Sequence, residues 1–546
     1  MSAPNRSKAS RPPSPPRTDW SAPATRLEMA AAIVASLWVA ALHVMYMFSA
    51  GPLWRDEAGS IGFASMPSLA AIWRNLQYDN FPPLFVLVAR AWALGGGTSD
   101  LSYRFLGALI GLATLAVLWF ASRQLGARVP LLVLALYASN PLAVRVGDAM
   151  RPYGLGIAMT LLALACVWNL ARREGSRPVL WAAVAAVLSV QCLYQSAFFL
   201  VAFCAGAWAV TLRRRDWQAS GQIAFAGVAA ALSLLPHAAN IRKSQEWFGI
   251  SRLTIHLDAI GRPLMDALDS QGRCMTAVWL GLLPAALAAA VILGWRRRES
   301  PFLFCGTTMA ASVVLYLLFV RAAGLQPRPW YFLLLMAPVA LGVDAVFGGM
   351  EMPWARMART ALTVVLALAC AAACCKGVRL RQSNVDLVAA QLKQSVQPGD
   401  FILVSPWYFG VSLQRYLDCA RFATLPPVSE LRIHRYDLMK KQMEAENPVG
   451  PLLDDIRETL QSGHALWVVG VFQTPPRGAP QPILPPYRGG MDMADSRYFS
   501  SWLFQVSGLI QAHAISGGPV PVDVPGGQPV NPVEDVALLV IRGWRH

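Results

Sequence analysis

Two adjacent carboxylates, Asp56 and Glu57, lie in the stretch Trp54-Arg55-Asp56-Glu57, directly after an apolar run from Met29 to Ala50. Where a chain leaves an apolar medium, a carboxylate is partly desolvated, and holding it there is costly unless it has a partner or a task. At that place a carboxylate can take the proton of a hydroxyl, and a pair can ligate a divalent cation. Asp56 is the candidate general base. Glu57 either orients a neighbour or joins Asp56 as a metal ligand. Asp148 stands three residues before Arg151 and completes the candidate catalytic set. The candidate substrate-binding residues are Asp79, Asn80, Arg151, Tyr153, Arg242, Lys243 and Arg328. The cations among them have the chemistry to bind an anionic lipid or a phosphate. Plainer readings stand beside these. Asp56 and Glu57 can cap an interfacial helix beginning near Ala58, and Asp148 with Arg151 can be a structural ion pair.

The elements that must position these residues are membrane spans. The chain has 546 residues, 55% of them hydrophobic and 14% charged, with a mean hydropathy of +0.42. Soluble domains carry about 25% charged residues. Apolar runs of near-spanning length recur at 29–50, 101–122, 129–147, 153–171, 179–195, 197–212, 219–237, 275–295, 301–320, 329–347 and 359–376. This is a polytopic α-helical membrane protein of about 11 spans. The net charge of +16 sits largely in short Arg-rich loops between the runs, which is an orientation signal and excludes a nucleic-acid partner. With those loops cytoplasmic, the N-terminus is cytoplasmic and the C-terminus extracytoplasmic. The nine cysteines fall mostly inside spans with no metal-ligand spacing, and read as packing residues.

Three regions follow: a disordered cytoplasmic tail, 1–25; a transmembrane region, 26–376; and an extracytoplasmic α/β domain, 377–546, of alternating strand and helix patterns with no catalytic motif. Within the second, 51–100 forms one long external loop. The apolar stretch Pro83 to Leu94 is too short to cross a core of about 30 Å and is expected to lie in the interface.

At these residues the chain resembles the GT-C membrane glycosyltransferases, in particular the family-39-like group of protein O-mannosyltransferases and relatives of the aminoarabinose transferase. Four stretches carry the resemblance: Trp54-Arg55-Asp56-Glu57, Asp79-Asn80-Phe81-Pro82-Pro83-Leu84, Tyr103 through Gly126, and Asp148-Ala149-Met150-Arg151-Pro152-Tyr153. A weaker one is Pro327-Arg328-Pro329-Trp330-Tyr331. The similarity covers about residues 29–350. It departs at Phe81, where the family usually has His, and at Asp148, which is shifted by one position from the family's acidic residue.

The resemblance implies a polyprenyl-phosphate-linked sugar as donor, a glycan, lipid or protein hydroxyl as acceptor, and reaction on the outer side of a bacterial inner membrane. No cofactor is certain from it; a divalent cation, Mg or Mn, is left open, with Asp56 and Glu57 as ligands. The rival is a transporter or flippase of a lipid-linked glycan. It would call for broken helices and ionisable residues at mid-membrane, whereas the polar groups here gather at one face.

Overall fold

The computed structural model describes residues 21–172, 177–251, 257–296, 300–324, 326–417, 422–474, 476, 483–489 and 494–545. Of the expected disordered tail, 1–25, residues 1–20 lie outside them, and 21–25 are instead the first residues of a helix. Among the described residues nine helices are long and apolar enough to cross a membrane, from Pro23–Ser49 to Pro353–Val378. The chain is a multi-pass membrane protein.

The first helix, α1 (Ser21–Ser49), leads into three short ones: α2 (Arg55–Ala64), α3 (Leu69–Asn75) and α4 (Leu84–Leu94). With 11 residues, α4 is about 16 Å long, half of what a crossing needs. The next long helix, α5 (Asp100–Gln124), begins where Ser99 caps it by accepting from the Ser102 N–H at 3.2 Å. Leu53, Ile61, Phe85, Val86, Leu106 and Met150 form a separate small core beneath this layer.

The expected span 129–147 is a broken one. A π-helical stretch, Leu134–Ala138, is followed by α6 (Pro141–Gly147). Pro141 has no N–H to continue the ladder, and its ring clashes with the carbonyl one turn back. Asn140 restarts the helix by accepting from Leu142 N–H at 2.8 Å and Ala143 N–H at 3.2 Å. Then comes α7 (Tyr153–Arg172). At the opposite end of the bundle, Arg359 pairs with Asp344 at 3.0 Å and Glu28 at 3.2 Å, all three buried, tying three segments together.

The C-terminal domain is built on one five-stranded sheet: β1 (Phe401–Ser405), β2 (Phe422–Thr424), β3 (Ala465–Gly470), β4 (Ala514–Pro519) and β5 (Leu538–Trp544), in the order β2-β1-β3-β5-β4. β1 runs parallel to β2 and β3, with Leu403 opposite Ala423 and Val468; β5 is antiparallel to β3 and β4. The central strands β1 and β3 are buried throughout, as continuous apolar runs between two helical layers should be. The domain is clamped to the membrane helices at the start of α5, where Asp100 accepts from Arg415 at 2.8 Å and from the Tyr416 hydroxyl at 2.7 Å. Ile433, also from this domain, is fully buried in the small core under α2.

Candidate active site

The acidic pair at the head of α2 divides its labour. Glu57 points into the protein and is fully buried. Its carboxylate takes both terminal nitrogens of Arg104 from α5, one at 2.8 Å, and accepts from the Met150 N–H at 2.8 Å and the Trp54 N–H at 3.2 Å. Those four bonds saturate it. Where a catalytic or metal-binding group was expected, Glu57 is placed as a brace joining α2, α5 and the loop before α7.

Asp148, expected in the catalytic set, is placed elsewhere. It is buried against Nδ1 of His43 on α1, at 2.8 and 2.9 Å, and faces neither cavity described below. Its register, one residue off the resembled pattern, turns it toward α1.

Asp56 faces the other way, into a cavity of about 200 Å3 under the C-terminal domain. Asp79, Asn80, Arg151 and Tyr153 line the same space. Arg151 donates to the Asp56 backbone carbonyl at 3.2 Å and to Ser60 Oγ at 2.9 Å, and its guanidinium lies over the Phe81 ring at 4.7 Å. Its Nε is buried without a hydrogen-bond partner. Burial works to raise the pKa of Asp56, but the charges of Arg151 and Arg55 outweigh it and hold the carboxyl below its ordinary range. At Asp79 burial prevails over Arg151 and the Asn80 N–H bond, and its pKa is raised. Two carboxyl groups around one guanidinium thus differ in proton affinity. Aromatic rings, among them Phe81, Trp330, Tyr331 and Tyr436, make up much of the remaining wall.

A second cavity of about 210 Å3 meets the first at Asp56, Arg151, Tyr153 and Trp330. Arg55, Arg145 and Glu534 line it. Arg55 Nε lies 2.9 Å from a carboxyl oxygen of Glu534, and Arg145 Nε is buried without a partner.

The other expected cations are not brought here. Arg242 and Lys243 are exposed on the helix Ala238–Phe248, whose end instead turns Phe248 into the first cavity. They occupy the polar face of an amphipathic helix. Arg328 is exposed just before the 3-10 turn Pro329–Phe332, and lines neither cavity; Trp330 and Tyr331 from that turn do. The proposed metal pair Asp56 and Glu57 does not fit a cation, because Glu57 is saturated on the far side of α2. Among the described residues no three His, Cys, Asp or Glu side chains gather as ligands.

What the sequence reading missed comes from the C-terminal domain. His434 and Tyr436 enter the first cavity from above, with His434 Nε2 3.8 Å from Asp56 Oδ1. Burial, with Arg151 and Arg55, depresses the His434 pKa to about 4 against the pull of Asp56, so the ring is neutral at pH 7. Two glycines of α2 permit this approach. A Cβ at position 62 would lie 2.0 Å from the Arg432 carbonyl oxygen, and one at 59 would lie 2.8 Å from His434 Nδ1. Glycines three apart on a short interfacial helix were the available signal that another backbone presses there.

The fold defines a multi-pass helical membrane protein carrying a C-terminal α/β domain, with a charged and aromatic cavity between the two. No family model and no curated protein matches the chain. Among solved structures it is similar to ArnT from Cupriavidus metallidurans bound to undecaprenyl phosphate, at 15% identity over 79% of this chain and 92% of that one, with a TM-score of 0.49. It is also similar to the Archaeoglobus fulgidus oligosaccharyltransferase. The apo form gives 9% identity over 92% of this chain and 75% of that one, with a TM-score of 0.49. The complex with Zn and sulfate gives 12% over 80% and 67%, with a TM-score of 0.48.

Proposed function

We propose that this protein is an integral-membrane glycosyltransferase that moves a hexosyl or pentosyl group from a polyprenyl-phosphate donor to an acceptor hydroxyl. The observation that carries the reading is the juxtaposition of Asp56, Asp79 and Arg151 in one aromatic-lined cavity at the end of the membrane helices. A donor with a prenyl tail reaches such a cavity from the bilayer. Arg151 suits its phosphate, since a guanidinium grips two oxygens at once. The aromatic rings suit the faces of a sugar. Asp56, kept ionised by its neighbours, takes the proton of the acceptor hydroxyl as its oxygen bonds to C1 of the sugar. The C1–O bond to phosphate breaks, and the electron pair leaves on the polyprenyl phosphate, facing Arg151. The site lies on the extracytoplasmic side of a bacterial inner membrane, with the N-terminus in the cytoplasm.

The test is incubation of the purified protein with a panel of polyprenyl-phosphate sugars while following release of free polyprenyl phosphate. Asp56→Asn keeps the size of the side chain and removes the base, so release should slow by about 10²-fold or more. Near-normal turnover by a folded Asp56→Asn protein rules Asp56 out.

A further inference from the structure

His434 is the unexplained group in this site. Its Nε2 is buried and has no hydrogen-bond partner, although the ring is held firmly, edge-on to Trp407 at 5.9 Å and stacked on Tyr436 at 6.3 Å. Packing alone would have been served by an apolar ring. An orphaned buried nitrogen costs about 1–3 kcal/mol, so its retention points to a ligand atom that satisfies it. The gap to Asp56 Oδ1 is 3.8 Å, too long for a direct hydrogen bond. It admits one oxygen atom at about 2.8 Å from both groups. That oxygen faces the cavity shared with Arg151 and Asp79.

We propose that His434, supplied by the C-terminal domain, holds the acceptor: its Nε2–H donates to the acceptor oxygen whose proton Asp56 takes. The inference rests on the glycosyl-transfer reading above. His434 keeps its own proton throughout. The hydroxyl proton goes to Asp56, the oxygen bonds to C1, and the sugar–phosphate bond breaks with its electrons on phosphate. His434 therefore fixes the oxygen's position without acting as the base, and the domain that carries it takes part in choosing the acceptor.

The experiment uses the full chain in nanodiscs, a polyprenyl-phosphate sugar that the parent turns over, and water as the acceptor probe. His434→Phe keeps a ring against Trp407 and Tyr436 but has no N–H; His434→Gln sacrifices the ring but places an amide N–H near Nε2. Misplacing a reacting atom costs about 10²-fold. His434→Phe should lower kcat by about that factor, and His434→Gln should recover at least a tenth of the parent rate. Affinity for polyprenyl phosphate should be unchanged in both. A purely structural histidine gives the opposite order, with Phe the milder change. Parent-like turnover by His434→Phe overturns the inference, as does a Gln variant no better than Phe or a loss of donor affinity in both. In each of those cases the active parent leaves the glycosyltransferase reading intact. A parent that releases polyprenyl phosphate from no donor sinks both.

Discussion

Glu57 and Arg104 make a brace whose removal has a calculable cost. Both side chains are essentially excluded from solvent. Glu57→Leu strips Arg104 of its counter-charge inside the protein, and breaking a buried pair from one side costs about 3–5 kcal/mol. The backbone N–H groups of Met150 and Trp54 lose their acceptor as well, at about 1–3 kcal/mol for each that stays dry. Against a total stability of about 5–15 kcal/mol, the single variant should be severely destabilised. The double variant Glu57→Leu/Arg104→Leu removes the stranded charge and leaves the orphaned N–H groups, together with the Gly51 and Pro52 carbonyls that Arg104 reaches. It should therefore be more stable than Glu57→Leu alone, with a coupling of up to about 3 kcal/mol in a double-mutant cycle. Unfolding in detergent, followed by denaturant titration or thermal shift, measures all four corners. Simple addition of the two single effects would show that the pair is not the brace the geometry describes.

Further outcomes follow from other parts of the site. Arg151→Ala should weaken polyprenyl-phosphate affinity by about 1.5–3 kcal/mol, and Arg151→Lys should restore only part, lacking the two-pronged grip; equal binding by all three proteins would move the phosphate elsewhere. Gly62→Ala should push the Arg432 backbone off α2 and reduce turnover while the membrane helices stay folded, which protease sensitivity between the two parts would report. Burial pushes the Glu534 carboxyl up to about 8 from an ordinary 4.5, even beside Arg55. Between those values the folded form holds the proton that the unfolded chain has lost, so stability falls as pH rises from about 4.5 to 8. Glu534→Gln should flatten that slope in unfolding measured from pH 5 to 8, and an unchanged slope would assign the titration to another group.

The apolar runs made the helical membrane architecture readable, because length and composition alone set a span. The break before Pro141 was hidden inside one such run, although Asn140-Pro141 is itself a helix-start signal. Asp56, Asp79, Asn80, Arg151 and Tyr153 reach one cavity from sequence-local exits of helices, so their shared location was legible. Asp56 and Glu57 were not separable in the same way. Adjacent helical residues point about 100° apart, and which of them faces the cavity depends on where Arg104 sits. The charge of Arg242 and Lys243 does not reveal the helix face they occupy, and both point outward on an amphipathic helix. His434 was out of reach because its contact with α2 is set by the docking of a separate domain, and no local pattern around Arg432 to Tyr436 encodes it.

The seat of glycines on α2 also sets a timetable. His434 lies 378 residues after Asp56 in the chain. At ribosomal speeds of about 5–20 residues per second, the interval between making the two is on the order of 20–80 s. Through that interval the newborn protein gains Arg151 after Asp56 but has nothing resting on Gly59 and Gly62. A chain halted anywhere before position 432 is born with an uncovered site. The last third of the polypeptide supplies one wall of the site, and the finished cavity exists only in molecules whose synthesis has run past position 436.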